Sequence, residues 1–552
     1  MGGFLSHLTP ENNTEVLNAS CGPIRGNVYK HDQKTVDGYL GIPYAKPPVG
    51  ELRFQKPVLA EKWTEPLDCY KYGPGCPQSG NFSVMCHDWM TFDEEKCLNL
   101  NVFAPRWKSD EFPKGFPVLV YIHGGGFEIG YSAYIHDYSL TGTIPLRDIV
   151  VVTINYRLGP FGFLTTGDNV TKGNYGLWDQ TLALQWVQDH IESFGGDPKN
   201  VTIAGTSAGG ISVDLLALSP HSNKLFHRFY AMSGTGFCTI AVRSNEDEAH
   251  ICEVFAKHHG YSGKDSQSLL NWYHSQDVSI FKKTADIKRD FSGFLFFVPN
   301  FDGDFFPKPF DELRKEAPKL DAMITVGEYE GLGMVLGNPT CSNPHDNLLN
   351  LRTAIADAYS PDVASNHENL RQKVFEAYTK GVDVKDQAAL IRKLVEFLGD
   401  YMFNICALST AKSCAANGNN TYLGSFDYFN TEKESDPQFA MLPFKAATHG
   451  SDFQYIMGDG TTSKFNPTEE EFSVLNMMGA FTANFVKYGN PNGKNQIEIW
   501  AKYNGSQPDN YFKIDYPKSE MRDNWQNGRL EVFEDIKKED KRYKKFMMPN
   551  SI

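Results

Sequence analysis

The feature that most constrains this chain is the run at residues 194–210, FGGDPKNVTIAGTSAGG. A short apolar stretch at residues 201–204 leads into Gly205-Thr206-Ser207-Ala208-Gly209, and an amphipathic run follows at residues 208–218. The pattern predicts a strand, a sharp turn and a helix, because the two flanking glycines let strand and helix pack closely around a strained serine backbone. Such a turn holds the hydroxyl of Ser207 out at the end of a sheet and marks it as a candidate nucleophile.

The motif G-x-S-x-G is weak by itself, since a chain of this length carries about 0.2 matches by chance at ordinary glycine and serine frequencies. Its place between a predicted strand and a predicted helix is the context that the motif requires. Ala208 begins that helix, so its backbone N–H and the helix dipole point to where an oxyanion would form. The sequence therefore predicts Ala208 as one oxyanion donor.

A second glycine motif, His123-Gly124-Gly125-Gly126-Phe127, follows the apolar residues 117–122. Successive glycines leave backbone N–H groups uncovered, and such groups converge on a developing negative charge. We predict that Gly125 and Gly126 supply the other half of an oxyanion hole. A phosphate cradle is a poorer interpretation because the Gly-Lys-Ser/Thr continuation is absent. A plain tight turn is the remaining alternative for this motif taken alone.

The order of apolar segments indicates the fold class. Residues 98–103, 117–122 and 149–154 are predicted strands, and the last two are almost continuously apolar, as central strands buried on both faces should be. Residues 176–194 keep a helical period. This alternation predicts an α/β fold with a large, mostly parallel, twisted central sheet flanked by helices. Turn-rich segments in the first hundred residues predict a small N-terminal β-sheet packed on the main body.

No low-complexity linker, internal repeat or charge block divides the 552 residues, so we expect one domain over residues 1–552. The net charge of −14 argues against a nucleic-acid partner. No stretch of 18 apolar residues is present that would span a membrane. The ten cysteines show no CxxC spacing typical of a metal site, and we expect no metal.

The N-terminus lacks the charged, apolar and small-residue regions of a secretory signal. It does fit the pattern M-G-x-x-x-[ST] for N-myristoylation, with Gly2 as the acceptor and Ser6 at the last position. A single myristoyl chain binds membranes weakly and reversibly. The sequence thus predicts a cytoplasmic protein with weak membrane association through Gly2; a frayed terminus is the alternative.

Four runs of this sequence together resemble a known family. They are the run at residues 194–210, the HGGGF loop, NYRLG at residues 155–159 and EKCLNLNV at residues 95–102. They resemble the type-B carboxylesterase and cholinesterase family of α/β-hydrolases. The resemblance covers nearly the whole chain and continues through residues 297–306 and 483–492. It implies the α/β-hydrolase fold, a catalytic triad in the chain order Ser, acid, His, and no metal or organic cofactor.

The resemblance also implies roles for particular residues. Glu330, followed by Gly331 after a predicted strand, matches the family's acid, with Glu328 as the rival; His449, in the segment HGSDFQY, matches its histidine. Cys76 and Cys97 match a cysteine pair that closes a loop at the rim of the site. We expect the two to lie close together without obligatory bonding. An ion pair between Arg53 and Glu95 is carried over in the same way.

Departures from the family pattern bear on the substrate. Thr206 stands where family members commonly carry glutamate, which removes a carboxylate that would attract a cation. The loop from Cys76 to Cys97 holds Trp89, but the spacing is short for the family's choline-binding tryptophan, and Cys86 is extra. We therefore expect a small uncharged carboxylic ester as substrate, cleaved by a serine hydrolase through an acyl-enzyme. The alternatives are an acyltransferase that uses the same acyl-enzyme and a non-catalytic binding protein of the neuroligin kind.

Overall fold

The computed structural model describes residues 12–78, 91–238, 242–282, 295–336, 345–433, 442–460, 465–494, 497–505 and 508–542, together with residues 10, 287, 338, 341 and 343. The predictions for Gly2, Ser6, Cys86 and Trp89 lie outside these residues. The strands of the described part are β1 Asn12–Asn13, β2 Leu17–Ala19, β3 Gly22–Arg25, β4 Asn27–His31, β5 Lys34–Pro43, β6 Leu67–Asp68, β7 Asn99–Pro105, β8 Phe116–Ile122, β9 Val150–Ile154, β10 Gly196–Thr206, β11 Arg228–Met232, β12 Asp321–Gly327, β13 Thr421–Phe426, β14 Tyr511–Ile514 and β15 Glu520–Arg522.

The helices are α1 Asp137–Thr141, α2 Gly159–Phe163, α3 Tyr175–His190, α4 Ala208–Leu218, α5 Asn245–His258, α6 Ser266–Ser275, α7 Phe310–Glu316, α8 Gly331–Met334, α9 Asn347–Ala358, α10 His367–Thr379, α11 Gln387–Gly399, α12 Ile405–Ala416, α13 Gln454–Met457, α14 Glu469–Tyr488 and α15 Glu531–Glu539. A π-helical turn, Asp400–Asn404, joins α11 to α12.

The described strands form a sheet of 12 strands in the order β1-β4-β5-β7-β9-β8-β10-β11-β12-β13-β14-β15 and a second sheet of three, β2-β3-β6. Neighbouring strands from β9 to β14 in this order run parallel, and the pairs toward both edges are antiparallel. The carboxyl ends of the parallel strands therefore meet at one edge of the sheet. The predicted mostly parallel central sheet, the flanking helices and the small N-terminal sheet are confirmed.

The predicted central strands are buried on both faces. Every residue of β8 and β9 is buried, as the continuous apolar runs indicate. Because successive side chains of a strand point to opposite faces, Val118 and Val120 belong to a buried cluster with residues of α3 and α4. Leu119 and Tyr121 belong to a second cluster with residues of α14. The sheet thus separates two apolar layers.

Two details differ from the sequence-based expectation. The N-terminal strands do not all form the small sheet: β1, β4 and β5 extend the main sheet through β7, because edge strands gain ladder hydrogen bonds wherever a free edge is offered. The predicted amphipathic run at residues 208–218 forms α4, but every residue of that helix is buried. Helix α4 contacts β8, β10 and β11 of the sheet and also helices α3 and α7.

The predicted ion pair of Arg53 is formed with a different glutamate. The guanidinium of Arg53 binds Glu94 through two hydrogen bonds of 2.5 Å, and it also donates to the carbonyl of Gln276 at 3.1 Å. Glu95 is exposed, and its backbone N–H donates to the carboxylate of Asp93. A turn at residues 94–96 rotates Glu95 toward solvent, so the assignment to Glu95 was wrong.

The structure joins Cys76 to Cys97 through a disulfide, with their Cα atoms 4.7 Å apart. Both cysteines are buried in the larger apolar cluster. The expectation of proximity without obligatory bonding therefore understates the link. The bond closes the loop that begins after the small N-terminal sheet and ends at β7, close to the Arg53–Glu94 pair.

Arg53→Ala should lower the free energy of unfolding by about 3–5 kcal/mol, because it leaves a buried carboxylate without its partner. The side chains of Arg53 and Glu94 are only 14% and 11% exposed. Lys46→Ala is the matched control, since Lys46 and its partner Glu61 are 40% and 81% exposed; we expect under about 1 kcal/mol there. Urea denaturation measures both. A costly Glu95→Ala beside a neutral Glu94→Ala would contradict the pairing.

Candidate active site

Ser207 lies at the junction of β10 and α4 in a backbone conformation that side chains rarely adopt, with φ 59° and ψ −125°. A Cβ atom on Gly205 would lie 2.4 Å from the carbonyl of Gly209, and one on Gly209 would lie 2.0 Å from the carbonyl of Ile122. Only glycine fits at either position, so the two glycines of the motif are needed for close packing. Ser207 is partly exposed whereas the neighbouring residues are buried. The strand and helix thus present its side chain at the carboxyl edge of the sheet.

The backbone around Ser207 leaves one N–H group directed outward. The N–H of Ser207 donates to the carbonyl of Met232 at 2.8 Å, and its carbonyl accepts from Ile211 at 2.9 Å within α4. Since the C=O and N–H of one trans peptide unit point in opposite directions, the N–H of Ala208 points out of the helix start. That direction is also the positive end of the helix dipole.

The glycine loop after β8 lies directly against this turn. A Cβ atom on Gly124 would lie 2.5 Å from the carbonyl of Thr206 and 3.1 Å from Cβ of Ser207. Gly125 and Gly126 have φ of 103° and 63°, a conformation that favours glycine. The sequence therefore keeps side chains out of the space between the two loops.

Two carbonyl contacts orient the N–H groups of this loop. Nδ1 of His123 lies 2.8 Å from the carbonyl oxygen of Gly124, and the N–H of Ile129 donates to the carbonyl of Gly125 at 3.0 Å. Both carbonyls are thus engaged by the loop itself, and the N–H groups of Gly125 and Gly126 on the same peptide units point the other way. No hydrogen bond among the described residues takes either N–H.

Sequence reasoning gave no role to His123, although it begins the motif. Its ring stacks on Tyr156 with the centroids 4.4 Å apart, and burial lowers its pKa to about 4. The ring is therefore neutral at ordinary pH, and the nitrogen next to the Gly124 carbonyl carries the proton. His123 fixes the loop by a neutral hydrogen bond and places no positive charge in the site.

The carboxylate of Glu330 is fully buried and accepts three hydrogen bonds. Oε2 lies 2.6 Å from Nδ1 of His449, while Oε1 accepts from the hydroxyl of Ser233 at 2.6 Å and from the N–H of Gly327 at 2.5 Å. Three donors stabilise the ionised carboxylate and fix its orientation. Ser233 was missed from the sequence; its φ of 52° is again rare for a residue with a side chain, and its N–H donates to the carbonyl of Thr325 at 2.8 Å.

Glu328 has different surroundings. It is partly buried, and burial together with the charge of Asp427 raises its pKa to about 7, with Lys513 acting in the opposite direction. Gly331 follows Glu330 as expected, but the structure shows a different reason for a glycine at this position. It begins α8, and a Cβ atom there would lie 2.1 Å from the carbonyl of Val395 in α11. The glycine after Glu330 is needed for this close approach of two helices.

The loop that carries His449 is tied to the loop that carries Glu330. The N–H of Tyr329 donates to the carbonyl of Ala447 at 3.0 Å, and the N–H of Gly333 donates to the hydroxyl of Thr448 at 3.0 Å. Phe403, in the π-helical turn, packs on the His449 ring with the centroids 4.5 Å apart. The orientation of the imidazole is therefore set from two sides, by a carboxylate and by an aromatic ring.

The histidine loop also reaches the serine turn. A Cβ atom on Gly450 would lie 4.0 Å from the methyl group of Thr206, the residue before Ser207. Within the described part of the chain, no hydrogen bond joins Ser207 to His449. Such contacts are often long without substrate and tighten when it binds. The arrangement brings together Ser207, Glu330, His449, Ala208, Gly125 and Gly126.

Asp452 is a further buried carboxyl in the same loop. Oδ2 accepts a hydrogen bond from the hydroxyl of Thr325 at 3.4 Å, and Oδ1 has no hydrogen-bond partner within the described residues. Burial and the negative charge of Glu330 raise the pKa of Asp452 to about 7. Burial and the charge of Glu330 therefore disfavour a second ionised carboxylate at this position, while His449 acts in the opposite direction.

The described residues contain neither a cluster of metal ligands nor a helix that could span a membrane. No cluster of three or more His, Cys, Asp or Glu side chains there could hold a metal ion. None of the helices is long and apolar enough to cross a membrane, in the same part of the chain.

The fold and this site define the class of α/β-hydrolases, with a serine at a strand-to-helix turn and its partners on later loops. A sequence model of the carboxylesterase family matches residues 13–533. Esterase cest-33 of Caenorhabditis elegans is 53% identical over 549 residues, which cover 99% of this chain and 98% of that protein. Carboxylesterase 1F of Mus musculus is 33% identical, with 86% of this chain and 85% of that protein covered. Carboxylesterase 1E of Rattus norvegicus is 32% identical with the same coverage.

The chain therefore belongs to the carboxylesterase family, and it is carboxylesterase-like rather than cholinesterase-like. Membership places it among the carboxylic ester hydrolases.

Asp452→Asn should become more stable relative to the wild type as the pH rises from 5 to 8. The pKa of Asp452 in the folded protein, about 7, lies above its ordinary value of 3.8. Its contribution to stability is therefore complete below about pH 4 and is lost as the pH rises through about 7. The amide does not titrate. Thermal unfolding of both proteins measures the difference, and a difference that stays constant across this range would contradict a neutral buried carboxyl.

Proposed function

We propose that this protein is a serine hydrolase that cleaves small uncharged carboxylic esters through an acyl-enzyme, with Ser207 as nucleophile, His449 as general base and acid, and Glu330 as the orienting acid. The observation that carries the proposal is the 2.6 Å hydrogen bond between Glu330 and His449 beside the strained turn of Ser207. A nucleophile, a base and a group that orients the base are the elements that this chemistry needs.

The chemical steps follow from the orientation of each group. Glu330 holds the Nδ1–H of His449, which leaves Nε2 unprotonated and able to take the proton of Ser207 as the hydroxyl attacks the ester carbonyl. The imidazolium then gives that proton to the departing alcohol, and water attacks the acyl-enzyme by the same route. The buried negative charge of Glu330 stabilises the imidazolium in both steps.

The oxyanion of each tetrahedral intermediate would be bound by the N–H groups of Gly125, Gly126 and Ala208. Their peptide carbonyls are all engaged elsewhere, so no rearrangement is needed when charge develops. Preorganised donors of this kind are often the largest single contribution to catalysis.

The surroundings support an uncharged substrate. The residue before the nucleophile is Thr206, the ring of Phe403 covers His449, and Leu295 lies against Gly126. Among these neighbours of the serine turn, none carries a charge that would select a cationic alcohol. The names of the relatives, esterase and carboxylesterase, agree with an ester substrate.

We further propose that residues 1–552 form one domain, since the main sheet takes strands from both the N-terminal and C-terminal parts of the described chain. A cytoplasmic location and a lipid at Gly2 stay predictions. The Cys76–Cys97 disulfide weighs against the cytoplasm, because reducing compartments keep thiols unpaired.

A fluorophosphonate should label Ser207 covalently, and peptide mass spectrometry identifies the modified residue. Ser207→Ala should abolish labelling and lower kcat for p-nitrophenyl butyrate by at least about 1,000-fold. Ser193→Ala is the control, because that serine bonds the surface residue Ser20. Labelling of another serine with hydrolysis intact in Ser207→Ala would overturn the proposal.

Glu330→Gln should leave the fold intact and lower kcat by about 10,000-fold, because an amide holds the ring but cannot offset the imidazolium charge. Glu328→Gln is the matched control, two residues away on the same loop and directed toward other charges; it should keep kcat within a few-fold. Circular dichroism checks folding, and steady-state kinetics with p-nitrophenyl butyrate measures turnover. If the two variants exchange these outcomes, the acid is Glu328.

A further inference from the structure

Residues 295–298 cover the glycine loop at residues 123–127, which is called the oxyanion loop below, and they form neither a helix nor a strand. The side chain of Leu295 lies directly on the loop, because a Cβ atom added to Gly126 would be only 2.7 Å from its Cδ2. Any displacement of this segment would therefore release the loop that carries two of the proposed oxyanion donors. The contacts that hold residues 295–298 in place therefore affect the geometry of those donors.

The backbone of this segment is held by a buried ion pair. The guanidinium of Arg243 donates to the carbonyls of Leu295 and Phe296, the latter at 2.7 Å, and to Oε2 of Glu248 at 2.8 Å. Oε1 of Glu248 accepts from the N–H of Val298 at 3.2 Å. Arg243 is 11% exposed and the carboxylate of Glu248 is fully buried. Hydrogen bonds to charged groups are stronger than neutral ones and fix geometry more closely.

A third charged residue links the segment to the oxyanion loop itself. Glu128 follows Gly126 by two residues, and its Oε1 accepts from the N–H of Phe296 at 2.5 Å. The loop and the segment are therefore joined twice, once by the Leu295–Gly126 contact and once by this hydrogen bond. The backbone groups of Phe296 are held on one side by Arg243 and on the other by Glu128.

A buried ion pair contributes little net stability, since desolvation of both charges offsets their attraction. Its directional hydrogen bonds to three backbone groups instead hold residues 295–298 in one position. We propose that Arg243, Glu248 and Glu128 are positioning residues that hold the oxyanion loop in its working geometry through residues 295–298. The inference rests on the proposed function, because it assigns these residues to the oxyanion hole of that reaction.

A looser loop would bind the tetrahedral intermediate less well and the ground-state ester about as well as before. Misplacement of catalytic groups by about 1 Å costs up to about 100-fold in rate. The expected signature is a fall in kcat with KM nearly unchanged, since the lost interaction is made in the transition state. A trifluoromethyl ketone, which forms a tetrahedral adduct with the serine, should lose affinity in parallel.

The test compares Arg243→Met, Arg243→Lys and Glu128→Met with the wild type in the full-length protein. Steady-state kinetics with p-nitrophenyl butyrate, inhibition by a trifluoromethyl ketone of the same acyl length, and thermal unfolding are measured for each. Arg243→Met should lower kcat about 10- to 100-fold with KM within about threefold. Its inhibition constant should rise in proportion. Arg243→Lys should recover part of the loss, because an ammonium group keeps the charge but not the fork geometry.

Arg228→Met is the matched control. Arg228 is 15% exposed and pairs with Asp321, but it begins β11 and thus lies at the amino edge of the sheet, away from the site. It should lose thermal stability while kcat and the inhibition constant stay at wild-type values. If Arg243→Met shows only this pattern, its role is structural and the inference is overturned.

Glu128→Met, which removes the oxygen that accepts from the N–H of Phe296, keeps the test decisive if Arg243→Met does not fold. This variant should show the same fall in kcat and in inhibitor affinity, and wild-type values for both would overturn the inference. Failure of the proposed function is distinct, because the wild type would then show no hydrolysis that depends on Ser207. An active wild type with unaffected variants defeats the positioning role alone.

Discussion

The close packing of β10 against α4 at Ser207 is the constraint on which the rest of the site depends. Contacts at Gly205 and Gly209 leave no room for side chains, and Ser207 takes a φ of 59° between them. A backbone in this region costs on the order of 1–3 kcal/mol, which the surrounding sheet must supply. One contact with the neighbouring strand is the hydrogen bond that the N–H of Ser207 donates to the carbonyl of Met232 in β11. The position of the proposed nucleophile thus depends on the sheet as well as on the turn.

Once the turn is fixed, the directions of the proposed oxyanion donors follow from the hydrogen bonds that the neighbouring carbonyl groups accept. The carbonyls of Gly124, Gly125 and Ser207 are each engaged by a group of their own loop or helix. A planar trans peptide then directs the following N–H groups to the opposite side. His123 takes part as a neutral donor because burial holds its pKa at about 4. In the proposed reaction, these N–H groups would therefore face the developing anion without a positive charge on His123.

Buried charge is distributed in two places around this centre. On one side Glu330 faces His449, and burial together with the charge of Glu330 disfavours ionisation of Asp452. On the other side Arg243 and Glu248 hold the segment that covers the glycine loop. Glu330 and Glu248 each accept hydrogen bonds from more than one donor, as burial of a carboxylate demands, and burial raises the pKa of Glu248 to about 7. Phe403, which packs on His449, and Leu295, which lies against Gly126, are both uncharged.

The sequence by itself determined the elements that depend on local pattern: the strand, turn and helix around Ser207, the buried strands β8 and β9, and the glycine loop at Gly125 and Gly126. Local sterics and hydrophobic period act over a few residues, so they can be read along the chain. Tertiary structure decided what depends on contacts between distant segments. Because of the turn at residues 94–96, Arg53 pairs with Glu94 instead of Glu95. The close approach of α11 is the reason that residue 331 is a glycine. Ser233, Phe403 and Arg243 have no local signature, because each acts through a residue far away in sequence that only folding brings near.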